Sequence, residues 1–325
     1  QESTLWDKDR LKTQEALAVA ITKRKDKEKA AGIEENLSSL SSVSSMSEPS
    51  VAATPPTELA ERTILQDTSD DEEDYSPTIL FVRNYGVRLF GCSLSWLLWD
   101  IAFYGNKLFQ AQFLVAVCGE SVTLLELSLA ATLNAGIALL GYYGAVPLLD
   151  SVGRRNLQLW GLLLTGILLV ACGFLYDYLN NAIICALYLA SSFIGQLGPN
   201  ATTFLIPAEV LPTSLRTSSH GVAAASGKVG ALIAAILFPG LRPIDLFVLT
   251  GYASLAAAAV TFWTIPDVGG LDLEETDQKW HAILSGRKAE YQGAANQVEF
   301  LSLYERHKLT FKLSSHHDVP ELWHD

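Results

Sequence analysis

Six runs of apolar residues fill the middle of the chain and are fenced on both sides by polar sequence. They lie at about 84–106, 122–148, 157–177, 182–207, 217–240 and 244–266. Each meets the roughly 20-residue length that a helix needs to cross the hydrocarbon core of a bilayer. Small residues recur along them, including Ala130, Ala131, Ala135 and Gly136 in the second run and Ala223 to Gly227 in the fifth. That composition suits helices packing closely in lipid. The pattern predicts an all-α membrane protein, a bundle of six transmembrane helices with polar tails.

The flanks read differently. Residues from Trp6 to about Ala31 form a polar helix with a basic run at Lys23, Arg24, Lys25, Lys27 and Lys29. It reads either as a juxtamembrane helix drawn to anionic lipid or as a plain solvated helix. From Ile33 to about Pro77 the chain is rich in Ser, Pro and acids, a composition that predicts disorder. There Ser69 precedes Asp70, Asp71, Glu72, Glu73 and Asp74, which is either an acid-directed phosphorylation site or ordinary linker. The expected organisation is a cytoplasmic linker over 1–83, helical and then disordered, a six-helix transmembrane domain over 84–266, and a C-terminal tail over 267–325.

Basic residues orient the bundle. Arg83 and Arg88 precede the first span, Arg154 and Arg155 join the second to the third, and Arg216 joins the fourth to the fifth. Only Lys107 and Arg242 lie on the other side. Both tails are therefore expected to be cytoplasmic, in an integral multi-pass protein of the plasma membrane.

Composition refines this picture only slightly. The chain has 325 residues, is 49% hydrophobic and carries a formal charge of −12. The acids concentrate in the tails, so the charge does not suggest nucleic acid as a partner. Four cysteines, Cys92, Cys118, Cys172 and Cys185, lie in or beside apolar runs with no CxxC spacing, and no zinc or redox motif is expected. The His316–His317 pair lacks further ligands at metal-binding spacing. No nucleophile–base set suggests an enzyme, and no metal or cofactor is expected. The chain opens on Gln and has its single Met at 46, so a longer parent protein is expected.

The candidate chemistry lies inside the spans. Trp96, Asp100 and Tyr104, in LSWLLWDIAFYGNKLF, share a helical face at i, i+4 and i+8. An ionisable residue at membrane depth is costly and by default marks a functional site. Lys228, in HGVAAASGKVGALIAA, stands near the centre of the fifth run, too deep to snorkel comfortably. A buried Asp and a buried Lys could neutralise each other as a structural pair, or share an anion across a wet cavity. In the fourth run, Gln196, Asn200 and Thr203 share a face, and Pro199 is expected to disturb the helix, freeing backbone groups beside a cavity. Glu126 reads as an interface marker. His220 is a proton relay or a capping residue. On the cytoplasmic side DSVGRRN, with Asp150, Gly153, Arg154 and Arg155, and PAEVLPTSLR, with Glu209 and Arg216, read as gates or structural latches.

DSVGRR resembles the repeated cytoplasmic loop motif of the major facilitator superfamily. WLLWDIAFYGNKLF, GQLGPNATTFLIPAEVLPTSLR, SSHGVAAASGKVGA and GLDLEE together resemble its phosphate:proton symporters, over about Arg83 to Asp277. The resemblance implies helices seven to twelve of that fold. It implies that Trp96, Asp100, Tyr104, Asn200 and Lys228 contact phosphate and that Asp100 couples to protons. It further implies a partner, an N-terminal six-helix half that completes the cavity. The function so implied is secondary active transport of inorganic phosphate with protons, by alternating access. The alternatives are an organic anion or sugar porter of the same superfamily, and a phosphate-sensing regulatory membrane protein.

Overall fold

A computed structural model describes residues 76–118 and 122–315. The basic helix, the acidic linker and the His316–His317 pair lie outside the described residues. Among the described residues every regular element is helical.

Helix α1 runs Pro77–Leu108, α2 Gln110–Cys118, α3 Leu124–Ser151 and α4 Arg154–Phe174. Helix α5 spans Asn181–Leu197, α6 Pro199–Glu209, α7 Thr213–Leu237 and α8 Pro243–Thr264. Six stretches are long and apolar enough to cross a membrane, with α5 and α6 together making one of them. Local chemistry explains the helix starts. Pro77 and Pro243 open α1 and α8, where a missing N–H costs nothing. Thr123 and Glu126 form a reciprocal capping box on α3, so Glu126 serves the helix start: Thr123 N donates to Glu126 Oε2 at 2.8 Å and Glu126 N to Thr123 Oγ1 at 3.3 Å.

The fourth run does not continue as one helix. It breaks at Gly198, whose φ of −112° and ψ of −92° are not helical, and resumes at Pro199. The break packs tightly on α4, because a Cβ on Gly198 would stand 2.6 Å from the carbonyl oxygen of Leu157. Pro199 removes one backbone donor, and the chain turns where the neighbouring helix leaves room only for glycine.

Helix α1 is central. It packs against α7 and α8, while α4 packs against α8 and α5, and α3 against α5. Leu125, Leu129, Leu133 and Leu140 of α3 are exposed, a face that hydrocarbon tolerates and water does not. An aromatic group of Phe113, Tyr188 and Phe247 fills one end of the bundle.

The other end is closed by chain that follows the last span. Helix α9, Leu273–Leu284, three short 3₁₀ turns between Lys288 and Phe300, and α10, Leu303–Ser315, are folded structure. Trp280 and Ile283 of α9 are buried against Phe81 and Tyr85 of α1. The composition of this stretch alone did not reveal that docking.

Candidate functional site

The site grows from the crossing of α1 and α7. Asp100 is buried, its side chain 5% exposed, whereas the Lys228 side chain is 64% exposed. The sequence led us to expect both charges to be buried. The correction has a simple cause: α7 turns Lys228 toward the open face of the bundle, and α1 turns Asp100 inward. Lys228 Nζ lies 3.8 Å from Asp100 Oδ2 but donates to Tyr104 Oη at 2.7 Å. Its ammonium also stands 4.5 Å from the centre of the Tyr104 ring, close enough for a cation–π attraction. Asp100 Oδ2 makes no hydrogen bond among the described residues, and the Lys228 ammonium faces it only at 3.8 Å. One oxygen of a buried carboxyl is thus left without a donor, an expensive arrangement in a merely structural pair.

The close approach of the two helices depends on Gly227. A Cβ there would lie 2.7 Å from both Asp100 Oδ2 and Trp96 Nε1. Sequence reasoning passed over this residue because a glycine among small residues looks like general packing. Trp96 is held on its other side by His220 and Phe204, with ring centroids 5.6 and 6.2 Å away. His220 itself meets Phe204 at 4.7 Å. His220, which the sequence leaves open as a proton relay or as a capping or loop-contact residue, is an aromatic neighbour of Trp96, with its Nδ1 buried and unpartnered among the described residues.

Asn200 takes a different place. Its amide donates to Gln196 Oε1 at 2.8 Å and to the hydroxyl of Tyr142 on α3. The structure thus joins Asn200 to Gln196 and Tyr142, and no direct contact joins it to Asp100 or Lys228. Thr203, expected on the same face, instead donates to the carbonyl of Pro199 at 2.7 Å. Gln196 also borders a narrow cleft between α1, α4 and α5, with Trp99, Asn106, Lys107 and Thr165 in its wall.

At the α9 end, Arg154 binds both Asp150 Oδ1 and Glu209 Oε1 at 2.9 Å, tying the α3–α4 turn to the end of α6. Arg155 donates to Ile265 O at 2.7 Å and Phe262 O at 2.9 Å, satisfying carbonyls at the end of α8. Gly153 makes the turn possible with φ of 86°. Glu209 and Arg216 do not pair with each other: Arg154 takes Glu209, and Arg216 donates to Thr213 Oγ1 at 2.8 Å.

Arg88 departs furthest from expectation. It lies inside α1, not ahead of the first span, and it is buried. It pairs with Glu305 of α10 at 2.9 Å. Neither residue's role could be read from the sequence, since 217 positions separate them.

Six helical stretches long and apolar enough to cross a bilayer define an integral, multi-pass membrane protein. Residues 101–280 match the family described as "Sugar (and other) transporter". The match covers more than half of the chain, which belongs to that family. Among similar proteins are "Inorganic phosphate transporter 1-11" of Oryza sativa subsp. japonica, 38% identical over 48% of this chain and 30% of its own length, and "Probable inorganic phosphate transporter 1-10" of the same plant, 35% identical over 61% and 41%. "Inorganic phosphate transporter 1-1" of Arabidopsis thaliana is 30% identical over 67% and 47%. The chain thus spans less than half the length of these relatives.

Proposed function

We propose that this chain forms the second six-helix half of a proton-coupled inorganic phosphate transporter working by alternating access. The observation that carries the reading is the α1–α7 crossing, where an exposed ammonium, a phenol, an indole and a buried carboxyl converge. Phosphate binds on the open face. Lys228 offsets its charge, the Tyr104 hydroxyl and the Trp96 N–H donate to its oxygens, and Asn200 joins them only by exchanging its bonds to Gln196 and Tyr142. Asp100 is a buried carboxyl with the Lys228 ammonium 3.8 Å away, which suits a group that changes protonation state during the cycle. Protonated, Asp100 donates to phosphate; deprotonated, it repels the anion and drives release.

An N-terminal six-helix half supplies the opposite wall. The loop cluster of Asp150, Gly153, Arg154, Arg155, Glu209 and Arg216 acts as a latch on the cytoplasmic side, where both tails lie. Residues 1–83 form the linker between halves, 84–266 the transmembrane domain and 267–325 the C-terminal segment, in a plasma-membrane protein. The names of the relatives support phosphate over sugar or an organic anion as the substrate.

Labelled phosphate uptake by the full-length parent tests the proposal. Asp100→Asn is expected to abolish accumulation against a gradient, and unchanged accumulation overturns the coupling role. Lys228→Ala is expected to weaken phosphate affinity sharply. Competition by unlabelled sugars or organic anions, without competition by phosphate, transfers the reading to another porter class.

A further inference from the structure

Arg88 is buried in α1, yet its guanidinium reaches three other segments. Nε and Nη2 donate to the two carboxylate oxygens of Glu305 at 2.9 and 3.3 Å. Nη2 also donates to the carbonyl of Phe300 at 3.2 Å, and Nη1 reaches the carbonyl of Val210, the residue that ends α6, at 3.5 Å. Glu305 is fixed in turn by its own helix start: Ser302 N donates to Glu305 Oε2 at 2.7 Å and Glu305 N to Ser302 Oγ at 3.2 Å. The acceptor is thus pre-oriented by a capping box before it meets the arginine. A bidentate, charge-assisted pair of this kind carries geometry as well as energy.

The two C-terminal helices are attached by different physics. Helix α9 is held by apolar burial of Trp280 and Ile283. Helix α10 packs along α8, and Glu305 adds a charged tie from it to the end of α1. Arg88 precedes Trp96 by two helical turns, about 12 Å along an axis uninterrupted by proline. Whatever fixes Arg88 therefore fixes the stretch of α1 that presents Trp96, Asp100 and Tyr104.

We propose that Arg88 and Glu305 are positioning residues: α10 serves as a brace that, through this pair, locks the adjoining ends of α1 and α6 and sets the placement of the α1 face bearing Asp100. Nothing in this concerns what is carried, so the docking holds or fails independently of the phosphate reading. In conformational cycling the brace governs how readily the α1 and α6 ends separate. It therefore acts on turnover more than on ligand affinity.

Hydrogen exchange on the full-length protein in lipid nanodiscs tests the brace without any substrate. Glu305→Ala removes both arginine bonds, and Glu305→Gln keeps the shape while removing the charge, should the alanine variant fold poorly. Glu299→Ala, at an exposed position on the same segment, is the control. Both Glu305 variants are expected to speed exchange about tenfold or more over 298–311 and, less strongly, at the ends of α1 and α6 over 84–92 and 206–210, with 273–284 changing least because α9 keeps its own apolar contacts. Unchanged exchange over 298–311 overturns the brace. A rise spread evenly through α3, α4 and α5 also overturns it, since the pair then merely stabilises the whole fold.

Uptake kinetics supply the second arm. Glu305→Gln is expected to change maximal turnover severalfold at unchanged KM, whereas a raised KM at unchanged turnover contradicts a positioning role. If the wild-type parent carries no phosphate, the function reading fails while the exchange result still decides the brace.

Discussion

Lys228 gives its shorter contact to a phenol and not to a carboxylate: Tyr104 Oη stands at 2.7 Å and Asp100 Oδ2 at 3.8 Å. The hydroxyl holds the ammonium away from Asp100 and keeps it turned to the open face. Tyr104→Phe should release it to close on the carboxylate. We expect phosphate affinity to fall about tenfold, the equivalent of one charge-assisted hydrogen bond, while expression stays normal. Binding or uptake by the full-length parent at several phosphate concentrations reads the change.

Gly227 and Gly221 allow a comparison within one helix. A Cβ at Gly221 meets nothing within 4 Å, whereas one at Gly227 meets Trp96 Cδ1 at 2.6 Å and Asp100 Oδ2 at 2.7 Å. Gly221→Ala should be neutral, or stabilising by about 0.5–1 kcal/mol through helix propensity. Gly227→Ala should spread α1 from α7 and abolish transport. Equal behaviour of the two variants in thermal stability and uptake would remove Gly227 from the site.

The ring of His220 supports Trp96 from the side facing Phe204. If support is its role, His220→Phe retains most activity and His220→Ala loses roughly 0.5–1.5 kcal/mol of binding, the value of an aromatic pair. If it relays protons, both variants fail alike. Uptake over a range of external pH separates the two outcomes.

Arg154 joins Glu209 where both side chains are partly buried, and Asp150 where the carboxylate is exposed. A double-mutant cycle of Arg154→Gln and Glu209→Gln should show a coupling of about 0.5–3 kcal/mol in thermal unfolding. Gly153→Ala, at φ of 86°, should cost about 1–2 kcal/mol from backbone conformation alone. A cycle with no coupling would mean that the latch contributes nothing to holding the loop against α6.

A pH dependence follows from Lys279 on α9, which donates to the Ala295 carbonyl at 2.8 Å. Burial pushes its amine down to about 7, and the Arg88 charge acts in the same direction. In the unfolded chain the amine titrates at about 10.4. Across that window the unfolded form holds a proton that the folded form has lost, so this residue's contribution to stability rises with pH above about 7 and is flat below it. The thermal stability of wild type relative to Lys279→Met should therefore climb between pH 7 and 9. Glu305 behaves oppositely: burial raises its carboxyl, but Arg88 and Ser302 outweigh that and hold it below the ordinary value. Its contribution is complete above the ordinary glutamate range and is lost only as pH falls through the lowered value.

The six spans were legible because membrane length is written directly in runs of apolar residues. Asp100 and Lys228 were legible because charge stands out within such runs. The break before Pro199 was legible for the same local reason: a proline inside a helical pattern removes a donor. Other features depended on how helices face one another, which one strand of sequence does not state. Lys228 was expected to be buried and is exposed, because depth along a helix says nothing about which way the residue turns. Glu209 and Arg216 read only as members of a latch, and the sequence did not state that Arg154, from a distant loop, takes the glutamate. Gly227 looks like any small residue until α1 is laid against it. The docking of α10 was out of reach, since its charged tie joins positions 88 and 305, 217 residues apart.

The interruption at Gly198 has a mechanical consequence. Helix α6 is an eleven-residue lever about 16 Å long, hinged at one end on α4. Its far tip carries Glu209 and Val210, the first held by Arg154 and the second by Arg88. Any swivel about the hinge must load both attachments at once. Two fastenings that look independent along the chain therefore share one moving arm, and neither can loosen without straining the other.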